Sequence, residues 1–102
     1  MARKPYGTVI PAMVTPFTAG GEVDYGRAAE LARYLVDLGC DGILVGGTTA
    51  ESPVLTEEER ERLVRTVVDA VGDQVFVWAG TGTNDTRASA ELSRRAEAAG
   101  AD

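Results

Sequence analysis

The sequence predicts an α/β protein with parallel strands, built as three consecutive strand–helix units. Two observations carry this prediction. Three segments share one plan: an apolar strand, a loop with glycine and threonine, and an amphipathic helix stopped by glycine. The strands are also apolar on both faces, as in Val75-Phe76-Val77-Trp78, which is the pattern of a parallel sheet covered on both sides. Right-handed crossovers between successive strands complete a (βα)3 arrangement.

The first strand is expected over 8–14 and closes at Thr15-Pro16. A loop over 17–22 carries Gly20-Gly21, and Asp24 is placed to cap a helix running to about Leu38. On that helix Ala28, Leu31, Ala32, Leu35 and Leu38 recur at helical spacing, and Gly39 supplies the stop. The second strand is Gly42 to Val45. Its helix opens with Thr56-Glu57-Glu58-Glu59, a capping box in which Thr56 and Glu59 satisfy each other's backbone donors. Leu63, Val64, Val67, Val68 and Val71 form the buried face, and Gly72 ends the helix. The third strand, Val75 to Ala79, leads through Gly80-Thr81-Gly82-Thr83-Asn84 into a helix that starts at Asp85 or Thr86 and ends at Gly100.

The segment most suggestive of chemistry is Val45-Gly46-Gly47-Thr48-Thr49-Ala50-Glu51-Ser52-Pro53. Loops at the carboxyl ends of parallel strands are where ligands bind. Glycines let a ligand approach the backbone, and two threonines offer free N–H groups and hydroxyls that donate or accept, which suits a small carboxylate. The plainer reading of Thr48 and Thr49 is a turn in which the hydroxyls satisfy strand-end backbone groups.

Composition narrows the class. The 102 residues suit one small domain, and 44% hydrophobic with 25% charged residues is ordinary for a globular protein. Ten basic against sixteen acidic residues leave a net charge of −6. The basic residues are scattered among acidic ones, so the stripe needed to bind nucleic acid is missing. Apolar runs fall well short of the roughly 20 residues that span a bilayer. The basic start, Met1 to Pro5, is not followed by the apolar stretch of a signal peptide. One cysteine, Cys40, and no histidine argue against a zinc site and fit a reducing cytoplasm.

The remaining features have structural readings. Glu51 beside a helix start is read as structural rather than as a general base. Gly80-Thr81-Gly82 lacks the Lys-Ser/Thr ending of a phosphate loop and reads as a tight strand–helix turn. Tyr6, Tyr25 and Tyr34 read as packing or surface aromatics, Cys40 as a small buried residue, and Glu57 to Glu61 as a first turn and solvated face. Gly100-Ala101-Asp102 repeats the connection Gly39-Cys40-Asp41-Gly42 that leads into a strand. Residues 1–102 are therefore expected to be a partial domain cut before a fourth strand, although a doubly wound order would also cover both sheet faces with three helices.

Four segments occur in register: Thr8-Val9-Ile10-Pro11-Ala12-Met13-Val14-Thr15-Pro16-Phe17, Gly39-Cys40-Asp41-Gly42, Gly47-Thr48-Thr49-Ala50-Glu51-Ser52-Pro53 and Ala79-Gly80-Thr81-Gly82. Together they resemble the dihydrodipicolinate synthase/N-acetylneuraminate lyase family of Schiff-base-forming pyruvate aldolases, and the Thr-Thr-x-Glu-Ser-Pro segment is more similar to the synthase branch. The resemblance implies a TIM (β/α)8 barrel, ~250 residues in its usual form, of which this chain would supply the first three βα units. It implies condensation of pyruvate with an aldehyde, aspartate semialdehyde in the synthase branch, on the route to diaminopimelate and lysine. It further implies no metal or organic cofactor, a homotetramer, Thr48 as a proton relay that also binds substrate, and Thr49 as the anchor of the pyruvate carboxylate. The Schiff-base lysine and a catalytic tyrosine belong to later strands. The only lysine here is Lys4, so residues 1–102 alone are expected to be inactive.

There are departures from the family pattern. Ala50 stands where the family usually has glycine, at a cost if that position needs a positive φ. The lysine feedback site is matched at Ser52 and Asn84 but altered at Glu57, Arg60 and Ala88, so feedback inhibition is not expected. The competing readings are a related 2-keto-acid aldolase of the N-acetylneuraminate lyase kind, and a non-catalytic (βα)3 module that binds a carboxylate or self-assembles.

Overall fold

The computed structural model describes residues 6–102. Its helices are α1 (Tyr25–Asp37), α2 (Glu57–Val71) and α3 (Thr86–Ala98), and its strands are β1 (Gly42–Val45) and β2 (Phe76–Ala79). The short 3-10 turn Ser52–Val54 precedes α2. β1 and β2 pair in parallel with Gly42 opposite Phe76 and Val45 opposite Ala79. The strands are parallel and each is followed by a helix, the βα pattern expected of a partial TIM barrel.

The helix ends follow the capping chemistry of the sequence. The Asp24 carboxylate accepts from Arg27 N–H at 3.0 Å, and Asp85 accepts from Arg87 and Ala88. Thr56 and Glu59 form the complete capping box, with bonds of 2.8 and 3.1 Å. Gly39 and Gly100 stop α1 and α3 at φ values of 97° and 107°, where a side chain would be strained. Gly72 closes α2 differently, in the ordinary right-handed region.

The expected first strand is present only as a ladder without a continuous strand. Met13 donates to Leu44 O, Leu44 to Pro11 O and Asp41 to Val9 O, so residues 9–13 run parallel to β1. Pro11 has no N–H to donate. The amides of Thr8 and Val9 are instead taken by Asp41 Oδ2, at 2.9 and 2.8 Å. Regular pairing is reduced to the single bridge Ala12–Leu44. The Asp41–Val9 clasp recurs on the other side of the sheet, where Asp102 N–H donates to Val77 O and Asp102 Oδ2 accepts from Val77 N–H.

The core lies between the sheet and the helices. Met13, Ile43, Val45, Val75 and Val77 pack against Ala28, Ala32, Leu63, Val64, Val67 and Val71. The expectation of a sheet covered on both faces holds for one face only. On the other, Val14 is 51% and Trp78 37% exposed. Phe76 on that same face is shielded by aromatic neighbours, Tyr6 at 4.9 Å and Trp78 at 5.0 Å between ring centroids. Tyr25 joins α1 to α2 through Arg62, whose guanidinium lies 3.9 Å from the ring centroid. Tyr34 is exposed, and Cys40 is half-buried rather than fully buried. Lys4 and the other residues of 1–5 lie outside the described residues.

The amides of Val9 and then Thr8 hold the Asp41 carboxyl below its ordinary value. A depressed folded-state value means that its contribution is complete above the unfolded carboxylate value of about 3.9 and is lost as pH falls through the lower folded value. Urea unfolding followed across the acid range is expected to show a shallower loss of stability in Asp41→Asn than in the parent. An identical acid limb in both proteins would contradict the assignment.

Candidate functional site

At the carboxyl end of β1 the chain turns twice in succession. Ala50 N–H donates to Gly47 O and Glu51 N–H to Thr48 O, each at 3.1 Å. The 3-10 turn follows, with Val54 N–H donating to Glu51 O. Thr48 and Thr49 occupy the centre of the first turn, and both are exposed. Among the described residues, neither threonine uses its hydroxyl or its backbone N–H in a hydrogen bond within the chain. The plainer reading, hydroxyls consumed by the turn itself, is therefore not what holds this loop. Two hydroxyls and two amides remain available at a parallel strand end, the donor set a carboxylate requires.

Two contacts from other elements fix the loop from behind. The Thr15 hydroxyl donates to Ala50 O at 2.8 Å, and Thr15 is the buried polar residue of the described chain, at 4% exposure. The Arg60 guanidinium donates to Ser52 O at 2.7 Å. Between those two carbonyls sits Glu51 with φ 60° and ψ 36°. Ala50, the departure flagged in the sequence, does not adopt a positive φ; the left-handed residue is its neighbour. Ala50 instead buries its methyl group, at 1% exposure.

The third loop approaches the same strand end. Gly80 N–H donates to Val45 O at 2.8 Å, and a Cβ on Gly80 would lie 2.5 Å from Gly46 O. Glycine is needed there for backbone contact between the loops, consistent with a tight turn. Thr81 pairs with Ser93, and Thr83 with Ser89 and Asp85, so these hydroxyls are engaged with α3 and its cap.

Behind the loops, Glu57 and Glu61 grip Arg95 of α3 at 2.6 and 2.8 Å. The Arg95 hydrogen bond holds the Glu61 carboxyl below its ordinary value. The acidic run is thus more than a solvated face, because it ties α2 to α3. The adjoining cavity, lined by Arg60, Glu61, Thr81 and Arg95, holds about 20 Å³, room for roughly one water molecule. No group of three or more metal-ligating side chains occurs among the described residues. No described helix is long and apolar enough to cross a membrane.

Residues 5–102 match the dihydrodipicolinate synthetase family. The chain belongs to that family. It is 61% identical over 97 residues to 4-hydroxy-tetrahydrodipicolinate synthase of Acidothermus cellulolyticus, covering 95% of this chain and 32% of that protein. A solved dihydrodipicolinate synthase from Bacillus anthracis shares 47% identity at a TM-score of 0.93, over 98% of this chain and 34% of that one. The chloride-inhibited dihydrodipicolinate synthase from Acinetobacter baumannii, solved with pyruvate, is 32% identical at a TM-score of 0.92, over 96% and 34% of the two chains. The chain spans about a third of the length of the curated relatives it matches.

Within this member of the family, the threonine pair expected from sequence sits at the strand end with its donors free. Of the positions read as departures from the family's feedback pattern, Arg60 is bound to the Ser52 carbonyl and Glu57 to Arg95, while Asn84, read as a match, is exposed. Thr15 was not singled out from the sequence, although a threonine two residues after the buried Met13 shares its face of the sheet.

The left-handed conformation costs Glu51 on the order of 1 kcal/mol relative to glycine, partly offset by glycine's greater unfolded-state entropy. Glu51→Gly is expected to raise stability by a few tenths to about 1 kcal/mol, and Glu51→Val to lower it by at least about 1 kcal/mol. Chemical denaturation of both variants checks the pair, and an equal effect of the two substitutions would refute a left-handed Glu51.

Proposed function

We propose that this chain is the N-terminal part of a 4-hydroxy-tetrahydrodipicolinate synthase, a lyase that condenses pyruvate with aspartate semialdehyde through a Schiff base. The observation that carries this reading is the 61% identity over 97 residues to the Acidothermus cellulolyticus enzyme of that name. The free donors of Thr48 and Thr49 support it from the site, as does pyruvate in the Acinetobacter baumannii relative. On this reading residues 1–102 are the first three of eight βα units in a cytoplasmic homotetramer. The Schiff-base lysine and the relay tyrosine belong to later units, and the chemistry calls for no metal or organic cofactor.

In this scheme Thr49 holds the pyruvate carboxylate with its hydroxyl and backbone N–H, fixing the keto carbon for attack by the lysine amine. Thr48 passes a proton between hydroxyls as the carbinolamine loses water and as the enamine forms. Both roles require that the two hydroxyls be otherwise unengaged. Held donors of this kind contribute through orientation and through charge-assisted hydrogen bonding.

In the full-length enzyme Thr49→Val is expected to raise the pyruvate KM by roughly 10- to 100-fold, the equivalent of one hydrogen bond to a charged group. Thr48→Val is expected to lower kcat by on the order of 100-fold or more, with a smaller change in KM. Steady-state kinetics separate the two, and unchanged constants in both variants would sink the reading. Borohydride with pyruvate is expected to trap a covalent adduct on the full-length protein and none on residues 1–102, as read by mass spectrometry.

A further inference from the structure

We infer that Thr15 and Arg60 are positioning residues for the Thr48–Thr49 loop, an inference that rests on the pyruvate-site reading above. The loop has no regular secondary structure between Val45 and Ser52. Two turn hydrogen bonds of 3.1 Å hold it locally, and these leave its orientation relative to the sheet undetermined. Thr15 supplies that orientation. Its hydroxyl is buried, comes from the neighbouring chain segment 35 residues earlier, and donates to the carbonyl immediately after the threonine pair. Arg60, in the first turn of α2, holds Ser52 O, a carbonyl that also accepts from Leu55 N–H.

The two clamps flank Glu51, whose left-handed backbone is the strained point of the loop. Strain of this kind persists where surrounding contacts over-determine it. Each clamp also comes from a rigid neighbour. Residues 9–13 are paired with β1, and α2 is anchored by its capping box and by Arg95. Releasing either one lets the turn pivot about Gly46 and Gly47, so that the Thr48 and Thr49 donors no longer converge on one carboxylate. Neither Thr15 nor Arg60 contacts that carboxylate in this scheme. Their effect passes through the position of the two threonines, and displacements of about 1 Å in such sites cost up to ~100-fold in rate.

The test uses the full-length enzyme with pyruvate as the varied substrate. Thr15→Val is expected to lower kcat/KM for pyruvate by roughly 10- to 100-fold, and Thr15→Ser, which keeps the hydroxyl, to stay within about threefold of the parent. Amide hydrogen exchange at Ala50 and Glu51 is expected to quicken in Thr15→Val while α1 and α2 remain protected. Arg60→Met, which removes no buried packing from the sheet, is expected to lower kcat/KM by at least about threefold and to quicken the same amides. It carries the test if Thr15→Val fails to fold. Parent-like kinetics and exchange in the folded variants, alongside losses in Thr48→Val and Thr49→Val, would overturn the inference and leave the pyruvate site standing. Parent-like kinetics in the two loop-threonine variants as well would overturn the site reading itself.

Discussion

The in-register parallel pairing of β1 with its neighbours is the constraint from which the rest follows. It places the carboxyl end of each strand at one edge of the sheet, so the loops after residue 15, after Val45 and after Ala79 emerge side by side. The free donors of Thr48 and Thr49, the hydroxyl of Thr15 and the glycine turn at Gly80 meet for this reason alone. An antiparallel order would send alternate loops to opposite edges. The same pairing puts Met13, Ile43, Val45 and Val77 on one face, where α1 and α2 bury them, and it is this burial that holds the loops' stems rigid.

The helices were readable from the sequence because their signals are local. An aspartate or threonine cap, an apolar face at helical spacing and a terminal glycine lie within one segment and do not depend on the rest of the fold. The strands at the sheet centre were also readable, since Gly42–Val45 carries its apolar character in a compact run. The first strand was harder. Whether residues 8–14 form a regular strand depends on where the Thr8 and Val9 amides go, and they go to a carboxylate more than 30 residues away. Trp78 misled for a related reason: an apolar side chain states a preference for burial, not which partner will provide it.

The site was legible in part. The threonine pair is a local pattern, and the structure places it at a strand end with its donors free. The departure at Ala50 drew attention one residue away from the left-handed position, because a missing glycine does not say which peptide of a turn bears the positive φ. The supports of the loop were not read at all. Thr15 looked like the end of a strand and Arg60 like a solvated helix residue, and each contributes by reaching a backbone carbonyl in another segment. The tie between α2 and α3 was missed in the same manner. Glu57 and Glu61 read as a surface, whereas α3 brings Arg95 against both, its Nε and Nη2 donating to Glu61 Oε2 and its Nη1 to Glu57 Oε2, a three-residue network with more directional information than an isolated surface pair.

The paired clasps at Val9–Asp41 and Val77–Asp102 bear on how the chain finds its register. In each, an aspartate gives its own N–H to a strand residue's carbonyl and takes that residue's N–H on its carboxylate. Along β2 successive residues present these groups on alternating sides, so the two-point grip of Asp102 on Val77 fails when the strand is one residue out of step. A slip of that size would also turn every buried side chain to the opposite face. The aspartates thus act as register marks along the sheet, penalising a misaligned strand through its backbone as well as through its side chains.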